Sequence, residues 1–288
     1  MKMRSFAKVN LGLEVYGKRA DGYHEVRTLL QAIDLCDVLE FHPVPTGTIR
    51  LTGDDERIPW DKRNLIHKAA TLLRENHRVS TGVDVSVHKR IPSGKGLGGG
   101  SSNAAMTLLA LNRLWGLDLG RRALMELGKN LGADVPYFLE GGLCLGSGRG
   151  DDIEAIEDLP PWYCVLVLPE TTILTESVYN QFRPSLTSNT KDSKIIRFLK
   201  DRRLHLLENS LEETVFRSYP QIKAIKSLFK SLKPELSLMS GSGSAVFGLF
   251  MEERKAREAL RELSERHPSL LVETMPRERY WNRLFAGV

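Results

Sequence analysis

The residues with the clearest potential for chemistry form a glycine-rich stretch. Residues 91–105 contain five glycines and lie between an alternating strand pattern at 83–87 and a helical pattern at 104–115. Glycine has no Cβ and tolerates positive φ, so such a backbone can curl closely around a ligand. We expect Ser101 or Ser102 to cap the helix, whose free N–H groups and positive dipole end would face the loop. The stretch predicts an anion site, with phosphate as the anion.

Three familiar nucleotide-binding patterns do not fit this stretch well. Gly94, Gly96 and Gly99 satisfy G-x-G-x-x-G, but Asp118 directly follows the helix end and does not end a second strand, as the dinucleotide pattern requires. A Walker A loop is excluded because Lys95 is followed by glycine and not by Ser or Thr. No His-Arg-Asp or Asp-Phe-Gly triplet occurs, which argues against a protein kinase. A tight connection without a ligand is the simplest alternative.

A lysine and an aspartate form a second candidate centre. Residues 7–16 alternate strictly between apolar and polar, which puts Lys8 and Asn10 side by side on one face of a strand. Asp134 lies in an otherwise apolar stretch, and a partly buried carboxylate needs a partner because desolvation disfavours its charge. Lys8 is the candidate partner. The alternative for Lys8 is a solvated lysine on an edge strand. Asp134 could also cap a helix before Pro136, a role that is compatible with the pairing.

Bulk properties limit the class of protein. The 288 residues are enough for two packed lobes, and 41% hydrophobic with 27% charged residues is typical of a globular chain. The three cysteines are widely spaced, which favours a protein of a reducing compartment and argues against disulfide bonds and a zinc site. No apolar run approaches a membrane helix or a signal peptide, so we expect a cytoplasmic protein without a membrane partner. The net charge of +5 suits anionic small molecules, and scattered basic residues argue against nucleic acid.

Periodicity and turn signals place these residues on predicted elements. In the first half of the chain they are a strand at 7–16, a second strand from Tyr23 and His24 after the turn at 21–22, a helix at 64–74 and a helix at 121–131. A buried strand at 163–168, a polar loop at 183–191 and two or three helices at 192–233 follow. The last predicted elements are two strands within 236–250 joined by a second glycine-rich turn, a helix at 252–267 and a closing strand at 270–275.

The glycine-rich stretch resembles a known phosphate loop. Its pattern Pro92-x-x-x-Gly96-Leu-Gly98-Gly-Gly-Ser-Ser-x-Ala-Ala105 is similar to that of the small-molecule kinases named for galactose, homoserine, mevalonate and phosphomevalonate. The second glycine-rich turn resembles the C-terminal motif of the same family. The resemblance implies an α+β, two-lobed fold whose N-terminal lobe resembles a ribosomal-protein-like β-α-β fold. Lobes at 1–157 and 158–288 would enclose an active site in the interlobe cleft.

Two N-terminal motifs narrow the resemblance. Ala7-Lys-Val-Asn-Leu11 followed by Asp21-Gly-Tyr-His24 is similar to the branch of the family whose acceptor alcohol carries a cytidine diphosphate group, in the non-mevalonate isoprenoid pathway. An aromatic ring can stack on a pyrimidine, and an imidazole can hydrogen-bond its edge. The implied reaction is ATP-dependent phosphorylation of a hydroxyl of that small-molecule acceptor, with ATP and Mg²⁺ as cofactors.

The resemblance also implies roles for individual residues. Lys8 and Asp134 would be catalytic. The ATP site would comprise Pro92, Gly94, Gly96, Leu97, Gly98, Gly99, Gly100, Ser101, Ser102, Asn64 and Lys89, with Ser101 or Ser102 touching Mg²⁺. The acceptor site would comprise Asn10, Tyr23, His24, Gly241, Ser242, Gly243 and Tyr179, with Phe182 as second choice to Tyr179 for the aromatic that covers the cytosine.

Several alternatives stay open at this point. Asn64 could simply cap a helix, and Lys89 could be solvated. Lys95 stands where the family usually has a small residue, and it could either contact a phosphate or point outward. A sister kinase for homoserine or a mevalonate derivative is the alternative function, and a nucleic-acid-binding module is the alternative from another class. Monomer and dimer are equally compatible with the sequence.

Overall fold

The computed structural model describes residues 1–183 and 193–285, so the polar loop expected at 183–191 lies outside the described residues beyond Arg183. Its strands are β1 Lys2–Lys18, β2 His24–Val44, β3 Ile49–Gly53, β4 Gly82–His88, β5 Leu143–Ser147, β6 Asp152–Ala155, β7 Tyr163–Val167, β8 Leu236–Met239, β9 Val246–Phe250 and β10 Ser269–Glu273. Its α-helices are α1 Leu65–His77, α2 Gly99–Leu114, α3 Arg121–Lys129, α4 Val135–Phe138, α5 Thr175–Gln181, α6 Lys194–Asp201, α7 Glu212–Ser218, α8 Pro220–Leu232, α9 Glu253–Ser264 and α10 Arg277–Leu284.

A long strand, β2, organises the first sheet. The strand β1 runs antiparallel to it along one side, and β4 and β5 pair antiparallel with different parts of its other side. The outer strands are β3, parallel to β4, and β6, antiparallel to β5. The predicted strand at 7–16 is confirmed and extends at both ends, because β2 is long enough to pair with all of it.

The second sheet has the order β10-β7-β9-β8 and is antiparallel throughout. The predicted pair of strands around the second glycine-rich turn is confirmed as β8 and β9. The helices α6, α7 and α8 confirm the expectation for 192–233 within its described part. Apolar side chains of β1, including Val9 and Leu11, share one core cluster with Leu166 and Phe247 of the second sheet. The two sheets are therefore joined by packing beneath the cleft between them.

The helix after the glycine loop begins earlier than its apolar pattern indicates. Helix α2 starts at Gly99, and Gly98 occupies the N-cap position with φ 72° and no side-chain capping bond. The prediction that Ser101 or Ser102 caps this helix is therefore wrong, since both lie within its first turn. Glycine is a weak helix former, so the first residues of α2 carry no helical signal in the sequence.

The chain does not end with the predicted closing strand. After β10, helix α10 packs against the first lobe: its Tyr280 ring lies 5.6 Å from that of Phe6, and the Tyr280 hydroxyl donates to the Phe138 carbonyl at 2.7 Å. This helix was missed because half of its residues are charged and only Tyr280 and Leu284 are fully buried. The lobe boundary at 157/158 stays a prediction, with α10 in the core cluster of the first lobe. No helix in the described ranges has the length and apolar character needed to cross a bilayer.

Candidate active site

A cavity of about 740 Å³ opens between the two lobes. Its walls come from β1, β2, the glycine loop, the start of α4, the β5–β6 turn, α5 and the second glycine-rich turn. The residues that line it are Lys8, Asn10, Leu13, Asp21, Gly22, Tyr23, His24, Val26, Thr28, Gly96, Ser101, Ala133, Asp134, Arg149, Gly150, Thr175, Glu176, Tyr179, Asn180, Gly241 and Ser242. Most of the residues predicted for catalysis and acceptor binding are thus brought together in one place.

Lys8 lies at the floor of this cavity and is only 3% exposed. Its Nζ donates to the Asn10 Oδ1 at 2.6 Å and to the Gly96 carbonyl at 2.9 Å, and it lies 3.4 Å from the Asp134 carboxylate. The predicted Lys8–Asp134 ion pair is confirmed, and the alternative of a solvated lysine is wrong. The ammonium is held by three acceptors, because burial makes an unpaired charge costly.

Asp134 immediately precedes the short helix α4. It occupies the N-cap position, but its carboxylate makes no capping hydrogen bond, so the capping alternative does not describe its side chain. The side chain is 36% exposed, whereas Val135, Tyr137 and Phe138 after it are fully buried. These buried neighbours fix the backbone and leave the carboxylate facing the cavity, where Lys8 supplies its charge partner.

Asn10 sits next to Lys8 as the strand period of two requires. Its Nδ2 donates to the Thr28 Oγ1 at 2.9 Å, while its Oδ1 accepts from Lys8. Gly241, with φ +57°, closes over the pair, because a Cβ there would lie 3.1 Å from the Asn10 Oδ1 and 3.6 Å from the Lys8 Nζ. The amide and the ammonium are therefore fixed from both sides by neighbouring elements.

Two residues that the sequence did not single out hold this arrangement. Asn209 is buried, and its Nδ2 donates to the carbonyls of Met239 and Gly241 at 2.8 and 2.7 Å, which fixes the second glycine-rich turn. Thr28 is buried on β2 and donates to the Gly12 carbonyl at 2.9 Å while it accepts from Asn10. Neither residue type in isolation signals such a role, since its partners are distant in sequence.

The glycine loop has the left-handed backbone that its composition predicts. Gly94, Gly96 and Gly98 have φ of 69°, 75° and 72°. A Cβ at Gly96 would lie 2.1 Å from the Ser240 carbonyl oxygen, and one at Gly98 would lie 2.7 Å from the Phe138 ring. The loop ends at the N-terminus of α2, whose first N–H groups have no partner within the helix. A sixteen-residue helix with its positive end at the loop is a favourable anion site.

The two serines of the loop have different surroundings. Ser101 lines the cavity. Ser102 is fully buried, and its Oγ accepts a hydrogen bond from the Ser5 hydroxyl at 2.7 Å. Leu97 is 1% exposed and packs into the interlobe core cluster, so it anchors the loop and does not face the cavity. Of the two serines, Ser101 is therefore the one that lines the cavity, and its contact with a ligand stays a prediction.

The other residues predicted for the ATP site flank the loop. Asn64 caps α1: its Oδ1 accepts from the Ile66 N–H and its Nδ2 donates to the Pro59 carbonyl, both at 3.0 Å. The capping alternative for Asn64 is therefore confirmed. The start of α1 lies against the loop, because a Cβ at Gly100 would be 3.8 Å from Leu65. A nucleotide contact by Asn64 stays a prediction.

Lys89 forms a buried ion pair with Asp37, and the side chains are 6% and 0% exposed. The alternative of a solvated Lys89 is therefore wrong. Asp37 also accepts from the N–H groups of Arg90 and Ile91 at 2.7 and 2.8 Å, which holds the entry to the loop just before Pro92. The ammonium lies next to the start of α2, where a nucleotide contact by Lys89 stays a prediction.

The acceptor side of the cavity has an aromatic wall. The rings of His24 and Tyr179 lie 5.5 Å apart, and Phe182 packs edge-on against His24 at 6.1 Å. His24 and Tyr179 line the cavity, whereas Phe182 is buried behind His24. Burial, and then the charge of Lys18, lowers the pKa of His24, so the imidazole is neutral near pH 7. Burial, and then the charge of Asp134, raises the pKa of Tyr179, so the phenol stays neutral.

The remaining acceptor candidates lie at the mouth of the cavity. Tyr23 is 56% exposed, and the Arg149 guanidinium lies over its ring at 5.1 Å. Arg149 was not predicted, because its turn carried no signal beyond its glycines. Ser242 lines the cavity and its Oγ is 2.8 Å from that of Thr175. Gly243 faces away from the cavity, since a Cβ there would lie 2.7 Å from the Met239 sulfur.

Comparison with known proteins gives matches over most of the chain. The family model "GHMP kinases N terminal domain" matches residues 64–142, and "GHMP kinases C terminal" matches residues 195–269. The 4-diphosphocytidyl-2-C-methyl-D-erythritol kinase of Pelotomaculum thermopropionicum is 39% identical over 271 residues, 92% of this chain and 94% of the relative. The kinase of the same name from Syntrophus aciditrophicus is 42% identical over 260 residues, 90% of this chain and 93% of the relative.

Solved structures give the same result for the fold. A crystal structure of 4-(cytidine 5'-diphospho)-2C-methyl-D-erythritol kinase superposes with a TM-score of 0.82 at 36% identity, covering 95% of this chain and 99% of that one. Homoserine kinase from Cytophaga hutchinsonii superposes with a TM-score of 0.76 at 18% identity, covering 97% of this chain and 96% of that one. The second likeness concerns the fold alone. The predicted α+β kinase architecture is confirmed by both.

Proposed function

The chain belongs to the 4-diphosphocytidyl-2-C-methyl-D-erythritol kinases of the GHMP kinase family, and we propose that it catalyses the following reaction. It transfers the γ-phosphoryl group of ATP to the tertiary 2-hydroxyl of 4-(cytidine 5'-diphospho)-2-C-methyl-D-erythritol, in the non-mevalonate isoprenoid pathway. The supporting observation is that one cavity is lined by part of the glycine loop, by the Lys8–Asp134 ion pair and by an aromatic wall.

The phosphates of ATP bind at the glycine loop and the N-terminus of α2. Phosphoryl transfer depends mainly on positioning and on stabilisation of charge, and both are supplied here by fixed backbone N–H groups. Gly96 lies at the boundary between the two halves of the site, because its carbonyl accepts from the Lys8 Nζ. The γ-phosphate end of the nucleotide is thereby directed toward Lys8 and Asp134.

Magnesium is the metal that this reaction uses with ATP. When bound, it neutralises charge on the β- and γ-phosphate oxygens. It is typically held by one or two protein oxygens together with the phosphates and not by a complete protein cage. Within residues 1–183 and 193–285 no cluster of three or more His, Cys, Asp and Glu side chains could hold a metal alone. The hydroxyl of Ser101, which lines the cavity, is an oxygen donor that fits this mode of binding.

Asp134 and Lys8 act on the acceptor hydroxyl. The carboxylate of Asp134 accepts a hydrogen bond from the hydroxyl and takes up its proton as the oxygen attacks phosphorus. The ammonium of Lys8 orients the carboxylate from 3.4 Å and offsets the negative charge that develops on the oxygens. The side chain of Asn10 and the Gly96 carbonyl keep that ammonium in place by accepting hydrogen bonds from it.

The cytidine end of the acceptor binds at the aromatic wall. The ring of Tyr179 stacks on the cytosine, and the neutral imidazole of His24 can both donate to and accept from the edge of the base. Tyr23 covers the mouth of the cavity, where Arg149 lies over its ring. The presence of this wall and of the Lys8–Asp134 pair in one cavity suits an acceptor with a base at one end and an alcohol at the other.

We expect Tyr179→Ala to raise the KM for the cytidylyl acceptor by roughly 5- to 150-fold, because stacking of a base on an aromatic ring contributes about 1–3 kcal/mol. Tyr179→Phe keeps the ring and is expected to change the KM by less than about threefold. Steady-state kinetics with varied acceptor at saturating ATP measures both. An equal loss in the two variants would place the phenol group, and not stacking, at the base.

The reaction is tested by ADP release from Mg-ATP with three acceptors: the cytidylyl methylerythritol, homoserine and mevalonate. Turnover with the first acceptor alone is the expected result. Turnover with homoserine or mevalonate would indicate a sister kinase, and the aromatic wall would then need another explanation. If a folded protein turned over none of them and bound RNA with a steep salt dependence, the kinase proposal would be wrong.

A further inference from the structure

Lys95 lies in the middle of the glycine loop, and its side chain neither faces a phosphate site nor points outward, the two possibilities that the sequence left open. Its Nζ donates to the backbone carbonyls of Pro169, Glu170 and Thr171 at 2.6, 3.0 and 2.8 Å, and the residue is only 8% exposed. It does not point outward into solvent. All three of its N–H groups are directed at protein oxygens, so its ammonium does not face the cavity where phosphates bind.

The contacts of Lys95 match the chemistry of an ammonium closely. An ammonium carries three N–H donors on one compact atom, and here three carbonyls converge on it. Burial, and then the charge of Arg57, lowers the pKa of Lys95, while Glu170 raises it. Burial of an ammonium whose partners are neutral carbonyls costs folding free energy unless all of its N–H groups are hydrogen-bonded. Lys95 therefore acts here as a three-point crosslink between two segments.

The segment on the far side of the crosslink leads to the acceptor wall. Residues 169–174 follow β7 and run into α5, which carries Tyr179. The same segment comes close to the loop, because a Cβ at Gly94 would lie 2.8 Å from the Thr172 side chain. At the start of α5, the Thr175 hydroxyl is paired with that of Ser242. The position of 169–174 thus bears directly on the position of Tyr179.

The two segments depend on the crosslink to different extents. The loop has other anchors: the Gly96 carbonyl accepts from Lys8 and Ser240, and the Leu97 carbonyl accepts from the Lys8 N–H. The Lys95 carbonyl itself accepts from the Ala245 N–H at 3.2 Å. These bonds do not involve the Lys95 side chain, so they remain if that side chain is changed.

Segment 169–174 has fewer other hydrogen bonds in the described part of the chain, and its Ile173 packs into an apolar core cluster. The Ser244 hydroxyl donates to the Thr171 carbonyl, and Gln221 donates to the Thr171 hydroxyl at 3.2 Å. The carbonyls of Pro169 and Glu170 have the Lys95 ammonium as their hydrogen-bond donor. Loss of Lys95 would therefore loosen this segment more than it would loosen the glycine loop.

We propose that Lys95 is a positioning residue for the acceptor: although it belongs to the ATP loop, it ties that loop to segment 169–174 and so sets the distance between the aromatic wall and the phosphates. This inference rests on the proposed function for the identity of the acceptor. The crosslink itself is a property of the free protein and can be measured without substrate.

The test compares Lys95→Met with the unchanged protein. Methionine keeps most of the side-chain volume but has no donors, and hydrogen bonds to a charged group are among the stronger ones. We expect the KM for the acceptor to rise about tenfold and the KM for ATP to change less than about threefold. In the free protein, amide hydrogen exchange over residues 170–181 is expected to accelerate, with little change over the start of α2. Lys230→Met, at an exposed position on α8, is the matched control.

A second variant separates positioning from charge. Lys95→Arg keeps the positive charge, but a planar guanidinium cannot place three donors on carbonyls that converge on one atom. It should resemble Lys95→Met in acceptor KM and in exchange. A selective rise of the ATP KM in Lys95→Met, with normal kinetics in Lys95→Arg, would instead show that Lys95 acts as a charge on phosphate, and the proposal would be wrong.

The remaining outcomes are also decisive. Unchanged acceptor KM and unchanged exchange in Lys95→Met would overturn the proposal. If that variant does not fold, Ser244→Ala removes the neighbouring bond to Thr171 and should cause a smaller change in the same direction, and no change would count against the crosslink. If the unchanged protein fails to phosphorylate the cytidylyl acceptor, the proposed function fails, while the exchange measurement still decides whether Lys95 holds segment 169–174.

Discussion

Replacement of Asp134 by asparagine is expected to lower kcat by about 10²- to 10⁴-fold, the usual effect of removing a general base. Asparagine preserves the shape of the side chain but can neither take up the hydroxyl proton nor carry the charge that Lys8 faces at 3.4 Å. The KM values for ATP and the acceptor should change far less, because the glycine loop and the aromatic wall are intact. Steady-state kinetics with both substrates varied gives these values.

The matched control for this prediction is Asp201→Asn, at an exposed position at the end of α6. It should retain full activity. Asp134→Asn is expected to lower the melting temperature as well, because the Lys8 ammonium, which is only 3% exposed, loses its charged partner. Near-normal turnover of Asp134→Asn would mean that the carboxylate neither takes the proton nor positions the hydroxyl, and its assignment as base would fail.

Replacement of Lys8 by methionine is expected to reduce kcat by about 10²- to 10³-fold, as removal of one stabilising donor at a developing charge does. The ammonium has three partners, so its loss also frees Asn10 and leaves the Gly96 carbonyl without this donor. Lys8→Arg should not rescue the activity, because a larger guanidinium does not fit a site that is 3% exposed. Single-turnover kinetics separates this loss of chemistry from any loss of binding.

The double variant Lys8→Met with Asp134→Asn provides a further check on the pair. When two residues act as a unit, the losses of kcat from the single variants do not add. The kcat of the double variant should therefore be only slightly lower than that of the more impaired single variant. Losses that multiply would indicate that the lysine and the aspartate act independently. A Lys8→Met enzyme with normal kcat and a raised KM alone would contradict a role in the chemical step.

Much of the site could be predicted because its residues carry local signals. The strand period of two placed Lys8 beside Asn10, and the glycines of the loop indicated a left-handed backbone before a helix. The turn at Asp21-Gly22 correctly delivered His24 to the start of β2. In each case the information lies within a few residues of sequence, where backbone sterics and periodicity operate.

The features that were missed depend on contacts between distant segments. Asn209 fixes the second glycine-rich turn from about thirty residues away, and Lys89, just after β4, pairs with Asp37 on β2. Helix α10 was missed because two buried side chains in a charged sequence do not form a clear apolar stripe. The start of α2 was misplaced because glycines begin it. These features depend on tertiary packing, which cannot be predicted from local sequence patterns.

The fold as a whole followed from motifs at both ends of the chain rather than from its individual elements. The glycine loop and the second glycine-rich turn meet in the structure, where Ser240 donates to the Gly96 carbonyl at 2.8 Å. The two motifs that resemble one family are therefore in contact with each other across the lobes. The role of Lys95 could not be inferred in this way, because its partners are three backbone carbonyls. Every residue has a carbonyl, so the residue types at 169–171 do not indicate the contact.

Identification of the product formed from Mg-ATP and 4-(cytidine 5'-diphospho)-2-C-methyl-D-erythritol would test the proposed reaction. Phosphorus and carbon NMR of the reaction mixture should show one new phosphate monoester, attached to the tertiary C2 oxygen, in amounts equal to the ADP released. The cytidine diphosphate group should be unchanged. Phosphate on another hydroxyl, or ADP released with only inorganic phosphate, would contradict the proposed placement of the acceptor against Asp134 and Lys8.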